Sequence, residues 1–192
     1  KAMEAAQDDL LLATLERSRA EIRSVVRLLD SLLDIAGTQA MRGDMRGLAE
    51  VSLSEIAENL ADLYGASAEE LGIGFYARIA PGIRLRADAM QMMRLMSNLL
   101  DNAFKYVPSG GSVSLELSAG PRIIVQDDGD GIPAADRERI FERYVRLDGA
   151  ADGGHGLGLA LALAIAQRHG LSLHVEDAEP GARFVVRPED DL

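Results

Sequence analysis

Glycines stand at positions 153, 154, 156 and 158, and they run straight into the apolar stretch Leu157–Ala166. Inside a helix a glycine costs roughly 1 kcal/mol relative to alanine. A chain that collects glycines at a helix entrance therefore has a reason: a tight turn, or something that must approach the backbone closely. The first amides of a helix point outward without partners, and with the helix dipole they make a ready anion site. No Lys-Ser/Thr pair follows these glycines, so they do not form a Walker loop. Gly154, Gly156 and Gly158 are evenly spaced by two, which also departs from the dinucleotide-binding fingerprint. Acidic residues number 31 against 20 basic, a formal charge of -11. Such a chain has no general basic face for nucleic acid. Any anion it binds must be held by local positive groups or by a metal ion.

The rest of the pattern predicts an α+β chain. Leu11, Leu15, Ser18, Ile22, Val25, Leu29, Leu32 and Ala36 alternate four- and three-residue steps, a heptad seam. The seam reads as a helix lying on its own domain or as a helical-bundle or dimer contact, and its length favours the contact. Gly37, Gly43 and Gly47 break the pattern and suggest a linker over 37–50. The divisions expected are a hairpin helix over 1–40, a linker over 41–50 and a second domain over 51–192.

Ser52-Leu53-Ser54-Glu55 has capping-box spacing and opens a helix through about Tyr64. Ile73–Ile79 reads as a strand, Pro81-Gly82 as a turn, and Asp88–Tyr106 as a helix. Val113, Leu115 and Leu117 alternate as a strand, and Arg122–Asp127 is another. A short helix near Asp136–Arg143 follows, then the glycines, a helix to about His169, and strands around Leu171–Val175 and Arg183–Val186. Strict βαβ alternation is absent, which predicts helices layered on one face of a mixed, largely antiparallel sheet. With no cysteine there is no disulfide framework and no thiolate metal site. The apolar run Leu157–Ala166 is about half a membrane span. No signal peptide is visible, so the chain reads as a cytosolic piece of a longer protein, with no membrane contact of its own.

Two further segments carry chemistry. In SNLLDNAFKY, Asn98, Asn102 and Lys105 share one helical face, while Leu95, Leu99 and Ala103 fill the packed one. Taken alone, the polar face reads as ordinary solvated surface. Asparagine can also give a hard oxygen to Mg²⁺, and lysine a point charge to phosphate. In VQDDGDGIP, a strand ends at Asp127, and Gly129 and Gly131 follow at once. Calcium is excluded because Gln126 and Arg137 stand where an EF-hand requires acidic ligands, and a strand precedes instead of a helix. An aspartate at a strand end can accept from a ligand amine, with glycines admitting a flat ring.

In this order, the Asn-rich helix, the turn Asp127–Gly131 and Gly154-His155-Gly156-Leu157-Gly158-Leu159 resemble the N, G1 and G2 boxes of histidine kinases. These kinases share a superfamily with gyrase, heat-shock and mismatch-repair ATPases. Ile140–Arg146, IFERYVR, resembles their F box. The resemblance covers residues 51–192, and the seam ending in LLDSLLDIA resembles the second helix of their dimerisation hairpin. It implies a two-layer α/β sandwich of the Bergerat ATP-binding type, with ATP and Mg²⁺ as ligands. By position, Asn102 would ligate Mg²⁺ with Asn98 beside it or bound through water. Lys105 would contact phosphate and Tyr106 the nucleoside side. Asp127 would accept from the adenine amine, with Gly129 and Gly131 against the ring. Gly154, Gly156, Leu157 and Gly158 would form the hinge and phosphate cradle, and Ile132 and Leu159 belong to the same nucleotide-binding set. Arg143 and Arg146 are phosphate or docking contacts, or a solvated helix-end pair. The implied partners are a second copy through the N-terminal helix and a response-regulator receiver domain.

Departures from the family pattern shape the function expected. The family's phosphoacceptor histidine sits on the first hairpin helix, and the only histidines here are His155, His169 and His174. His155, among the implied nucleotide-binding residues, reads as a solvent-facing side chain or a γ-phosphate contact. His169, at a helix end that favours cations, reads as structural, and His174 as packing or surface. The ATP-hydrolysing relatives carry Glu four residues before the magnesium Asn. Asn98 stands there and cannot take a proton, so phosphotransfer fits better than hydrolysis. The expected function is a sensor histidine kinase catalytic region that phosphorylates a histidine not present in this chain, for relay to a response-regulator aspartate. An anti-sigma serine kinase, a clamp-type ATPase and a catalytically inactive interaction module are the alternatives.

Overall fold

A computed structural model describes residues 19, 22, 29, 32–40, 47–147 and 155–189. Three helices, α1 (Leu53–Leu71), α2 (Ala89–Tyr106) and α3 (Gly158–Arg168), accompany strands β1 (Ala49–Ser52), β2 (Gly74–Ile79), β3 (Arg84–Ala87), β4 (Ser112–Ser118), β5 (Arg122–Asp127), β6 (Leu171–Asp177) and β7 (Ala182–Pro188). Five strands form one sheet in the order β2-β4-β5-β7-β6. Only β2–β4 is parallel; the other three pairings are antiparallel. Strands β1 and β3 pair separately and antiparallel. The expected α+β fold, a largely antiparallel sheet layered with helices, is what the chain forms.

Period-two alternation decides which side of the sheet is dry. Val113, Leu115 and Leu117 of β4 register with Asp127, Val125 and Ile123 of β5. Ile123 and Val125 in turn face Val186 and Phe184 of β7. These apolar side chains join Met92, Leu95, Met96, Leu99, Leu100 and Ala103 of α2, and Leu161, Ala162, Ile165 and Ala166 of α3, in one buried cluster. Each full burial of such a side chain contributes about 1.5–3 kcal/mol. Asp127 is the last inward position of β5, so the strand's own geometry pushes a carboxylate beneath the helices.

Ser52 caps the expected helix, its Oγ accepting from the Glu55 amide at 3.2 Å, the N-cap half of a capping box. The helix it opens does not end near Tyr64. It continues through Gly65 to Leu71 and stops at Gly72, whose φ of 66° supplies the left-handed cap. The residues after Gly65, Ala-Ser-Ala-Glu-Glu-Leu, mostly favour helix and carry it past one weak position. The helix expected near Asp136–Arg143 is instead two 3-10 turns, Ala134–Asp136 and Arg139–Phe141. Their anchors are Ile140, which is buried, and Phe141, edge-on to Phe184 at 6.5 Å. Strands β1 and β3 were not anticipated. Each has only four residues, too short for alternation to stand out.

Residues 32–40 are helical and run through Gly37 rather than stopping there. This stretch lies on the domain: Ile35 is fully buried and Thr38 nearly so. Asp34 pairs with Arg94, and Gln39 accepts from Arg143 Nη2. The seam residues Ile22 and Leu29 are exposed, as is Ala36, while Leu32 packs partly against the core. Leu11, Leu15, Ser18 and Val25 lie outside the described residues. The expected linker ends early, since β1 begins at Ala49 and Leu48 is already buried.

Candidate functional site

Helix α2 presents its polar line as the spacing predicts. Leu95, Leu99 and Ala103 are fully buried, while Asn98, Asn102 and Lys105 are half-buried. Asp88 caps the helix, its Oδ1 accepting from the Gln91 amide at 3.1 Å. Helix α1 braces the other side: the Tyr64 hydroxyl donates to Asp101 Oδ1 at 2.5 Å, and Phe104 lies between Tyr64 and Phe75. Burial, with a hydrogen bond to and the charge of Asp101, raises the Tyr64 pKa and keeps the hydroxyl protonated.

One polar atom on α2 is left over. Asn98 Nδ2 is buried and has no hydrogen-bond partner. Leaving such a donor unpaired costs about 1–3 kcal/mol. Its own Oδ1 lies 3.5 Å from where a Cβ on Gly158 would stand. Thus Asn98 faces the first residue of α3. That helix entrance has no side-chain cap, since Leu157 holds the N-cap position and cannot accept. Leu157 is buried and Leu159 half-buried; the first amides of α3, at 158 and 159, have no partner within the helix and start beside Asn98. This is the helix start at which the sequence places an anion site, and it carries no side-chain cap.

Asp127 is 4% exposed. Its Oδ1 accepts from the Gly129 amide at 3.0 Å and the Ala182 amide at 3.3 Å. Both bonds use one oxygen, which leaves Oδ2 for a donor from a ligand. Burial raises the Asp127 pKa, opposed by these two amides. Asp128 does different work: it takes the Ser112 amide at 2.8 Å and the Ser112 hydroxyl at 2.9 Å, holding the start of β4. Asp130 is exposed.

The glycines at this turn are required first by the protein's own backbone. A Cβ on Gly129 would come within 2.6 Å of Tyr106 O, and one on Gly131 within 2.9 Å of Gly181 O. The end of α2 thus rests directly on the Asp127–Gly131 turn. Lys105 Nζ lies 5.1 Å above the ring of Tyr106. Ile132 packs partly against the core, and its carbonyl accepts from Arg137 Nε at 3.1 Å. Arg137 also bridges to Asp177 at 2.9 Å.

Gly156 has φ of 66°, and its carbonyl accepts from the Tyr144 amide at 2.9 Å. A Cβ there would strike Val145 O at 2.7 Å, so the glycine seats the start of the G2 stretch against the segment IFERYVR. Tyr144 is itself left-handed, at φ 66°. His155 and Arg146 are exposed. Arg143 is exposed and donates to Gln39 of the helical stretch 32–40. Gly154 lies outside the described residues. His169 is buried but not as the cation a helix end would favour, because burial lowers its pKa and keeps it neutral. His174 lies on β6, 3.1 Å from Glu176 Oε1.

Two contributors escaped the sequence reading. Gly181 has φ of 99°, and a Cβ there would overlap Asp127 O. Ala182 supplies the second amide to Asp127. The turn Glu179-Pro180-Gly181 was a legible signal for a bend. That it folds back on residue 127 depends on β7 pairing with β5 across more than fifty residues.

Residues 87–192 match the family described as histidine kinase-, DNA gyrase B-, and HSP90-like ATPase. Hybrid signal transduction histidine kinase D of Dictyostelium discoideum is 32% identical over 179 residues, covering 86% of this chain and 11% of that protein. Sensor protein IrlS of Burkholderia pseudomallei is 33% identical over 175 residues, covering 88% and 37% respectively. The chain therefore spans well under half the length of these relatives. Among solved structures, mycobacterial sensor histidine kinase MprB aligns with a TM-score of 0.61 at 26% identity, covering 73% of this chain and 99% of that one. Full-length ShkA in complex with AMPPNP aligns at 0.70 with 30% identity, covering 85% and 35%.

Proposed function

Since the chain belongs to the histidine kinase-, DNA gyrase B-, and HSP90-like ATPase family, we propose that it is the ATP-binding catalytic region of a sensor histidine kinase. In this reading the γ-phosphoryl group passes to a histidine delivered from outside residues 51–192, and from there to a response-regulator aspartate. The named relatives IrlS and histidine kinase D support it, as does the bound nucleotide analogue in ShkA. Within the family, Asn98 separates this reaction from hydrolysis, because an amide cannot serve as the base that activates water.

One observation carries the reading: three segments distant in sequence meet, Asn98 against Gly158 and Tyr106 against Gly129, with Asp127 beneath. Asp127 Oδ2 accepts from the adenine amine. The open amides at 158 and 159 take phosphate oxygens, and Lys105 adds a point charge. The reading also assigns Gly154, His155 and Arg146 to the phosphate side of the ligand, and Gly129, Gly131 and Ile132 to its base side. The unpaired Asn98 Nδ2 would donate to a phosphate oxygen, while the hard Oδ1 of Asn102, with that of Asn98 beside it or acting through water, would hold Mg²⁺ bound with the triphosphate. When bound, that ion neutralises phosphate charge, and the remaining contribution of the chain is positioning.

His169 is not the acceptor, since both of its ring nitrogens are engaged within the protein. The exposed seam residues Ile22, Leu29 and Ala36 support pairing with a second copy through the N-terminal helix. Among the described residues no helix is long and apolar enough to cross a membrane, which is consistent with work on the cytoplasmic side of a larger receptor.

Titrating a fluorescent ATP analogue with and without Mg²⁺ tests the reading. Wild type should bind more tightly with Mg²⁺, and Asn102→Ala should lose that dependence while keeping the Mg²⁺-free affinity. Absence of binding in a folded wild type would favour the inactive interaction module.

A further inference from the structure

Among the described residues, the buried ionisable side chains of Arg168 and His169 have no part in binding nucleotide in the reading above. His169 follows α3 directly and is 5% exposed. Its Nδ1 lies 2.8 Å from Ile165 O, and its Nε2 lies 3.2 Å from the Asp88 amide nitrogen. A carbonyl only accepts and an amide N–H only donates. The pair of contacts therefore admits one form of the ring, neutral with its proton on Nδ1. Burial favours the same neutral form. The charge of Arg168 also lowers the pKa, while the bond to Ile165 and the charge of Asp88 oppose the shift.

Asp88 is the N-cap of α2. Its carboxylate holds the Gln91 amide and its own N–H goes to His169, so the imidazole ties the end of α3 to the start of α2. At the other end of α3, Gly158 faces Asn98, midway along α2. Asp88 and Asn98 are ten residues apart, and Gly158 and His169 eleven, or about 15 and 16.5 Å along a helix axis. The helices lie antiparallel and in step, pinned at one end and carrying the anion-site groups at the other.

What lies between does little to fix that step. The buried side chains there are Met92, Leu95, Met96 and Leu99 on α2, with Leu161, Ala162, Ile165 and Ala166 on α3. Aliphatic attraction is non-directional and methionine is adaptable, so such a surface tolerates small sliding. A buried, directional hydrogen bond does not, and single polar groups set register in this way between other packed helices.

We infer that His169 is a positioning residue: by holding Asp88 it sets the axial register of α2 against α3, and so the spacing between Asn98, Asn102 and the open amides at 158 and 159. This rests on the nucleotide-binding reading of that site. Helix α2 is seated on the Asp127–Gly131 turn through Tyr106 and Gly129, so a change of register moves α3 against it and the purine end of the ligand should not feel the shift.

The test compares the Kd of an ATP analogue with that of adenosine on the 192-residue chain. His169→Ala should weaken ATP binding about tenfold, the worth of one buried hydrogen bond, and leave adenosine within about twofold. His169→Gln should recover most of the loss, because its amide can donate to Ile165 O and accept from the Asp88 N–H. Nitrogen-15 NMR of the wild-type imidazole tests the clamp without any variant: it should report the Nδ1-protonated tautomer. Parallel loss of ATP and adenosine, a Gln variant no better than Ala, or an Nε2-protonated ring would each overturn the inference. Wild type binding ATP while the variants bind equally well would overturn the clamp alone; wild type binding neither ligand would overturn the nucleotide reading and the clamp with it.

Discussion

Replacing Asp127 by asparagine separates what this residue does for the fold from what it does for a ligand. In the protein, Oδ1 holds the amides of Gly129 and Ala182. Asparagine keeps that oxygen and both bonds, but its other end becomes an NH₂ donor where Oδ2 stood. Facing the amine of adenine, a donor meets a donor. The lost bond and the unmet groups together cost about 1–3 kcal/mol, which is roughly a 5- to 150-fold rise in Kd. Stability should move the other way. Burial raises the Asp127 pKa, so the folded state holds a proton more tightly than the unfolded chain. The cost of its charge is full above the folded pKa and vanishes below the unfolded value of about 3.9. At neutral pH, Asp127→Asn removes that charge and should melt at or above wild type without nucleotide. Asp127→Ala instead strips two buried amides of their acceptor, at about 1–3 kcal/mol each, and should melt several degrees lower. Analogue titration and thermal denaturation on the three proteins test this. Affinity of the Asn variant within twofold of wild type, or an Asn variant melting as low as Ala, would refute the argument.

Other substitutions probe the surroundings. Gly181→Ala forces a Cβ into Asp127 O at a φ of 99°, so it should cost several kcal/mol, seen as insoluble expression or a large drop in melting temperature. Leu29→Glu puts charge on the exposed seam and should shift the chain toward monomer in light scattering, with its melting temperature nearly unchanged. His169 has a lowered pKa, so its contribution is fully present above the unfolded pKa of about 6.5 and is lost as pH falls through the folded value. Wild type should therefore lose more stability than His169→Gln between about pH 6.5 and 5, read as the difference between their melting curves.

The sequence carried much of this fold because its elements obey simple periods. Alternation along β4 and β5 set the inward face and put Asp127 on it. The 3.6-residue period of α2 separated Leu95, Leu99 and Ala103 from Asn98, Asn102 and Lys105. Errors arose where local signals were weak or where a distant partner decided the outcome. Gly65 and Gly37 looked like breakers, yet favourable neighbours and tertiary contacts carried the helix past each. The reading of Gly129 as access for a flat ring did not reveal that Tyr106 O also requires a glycine there. Neither the Ala182 amide on Asp127 nor the His169 bond to Asp88 leaves a local trace. The first joins residues 55 apart and the second 81 apart, and both depend on strand and helix pairing.

An acidic chain with no broad basic face can still hold a polyphosphate if it concentrates unmet donors at one point. Three costs converge at this point. Asn98 Nδ2 is buried and unpaired, α3 begins without a cap, and Asp127 is charged beneath the helices against a desolvation penalty. Folding alone would remove each of them: a serine at 157 would cap α3, leucine at 98 would bury cleanly, and asparagine at 127 would shed the charge. Scattered over the surface they would be unrelated imperfections. Gathered around the Asn98–Gly158 and Tyr106–Gly129 contacts, they are two sets of open donors and one open acceptor, spaced along α2. In the proposed function, a triphosphate at the donors and an amino-purine at the acceptor would satisfy all three. A ligand at a hundred times its Kd returns about 2.7 kcal/mol to the folded state, comparable with what one or two of these unmet groups take away.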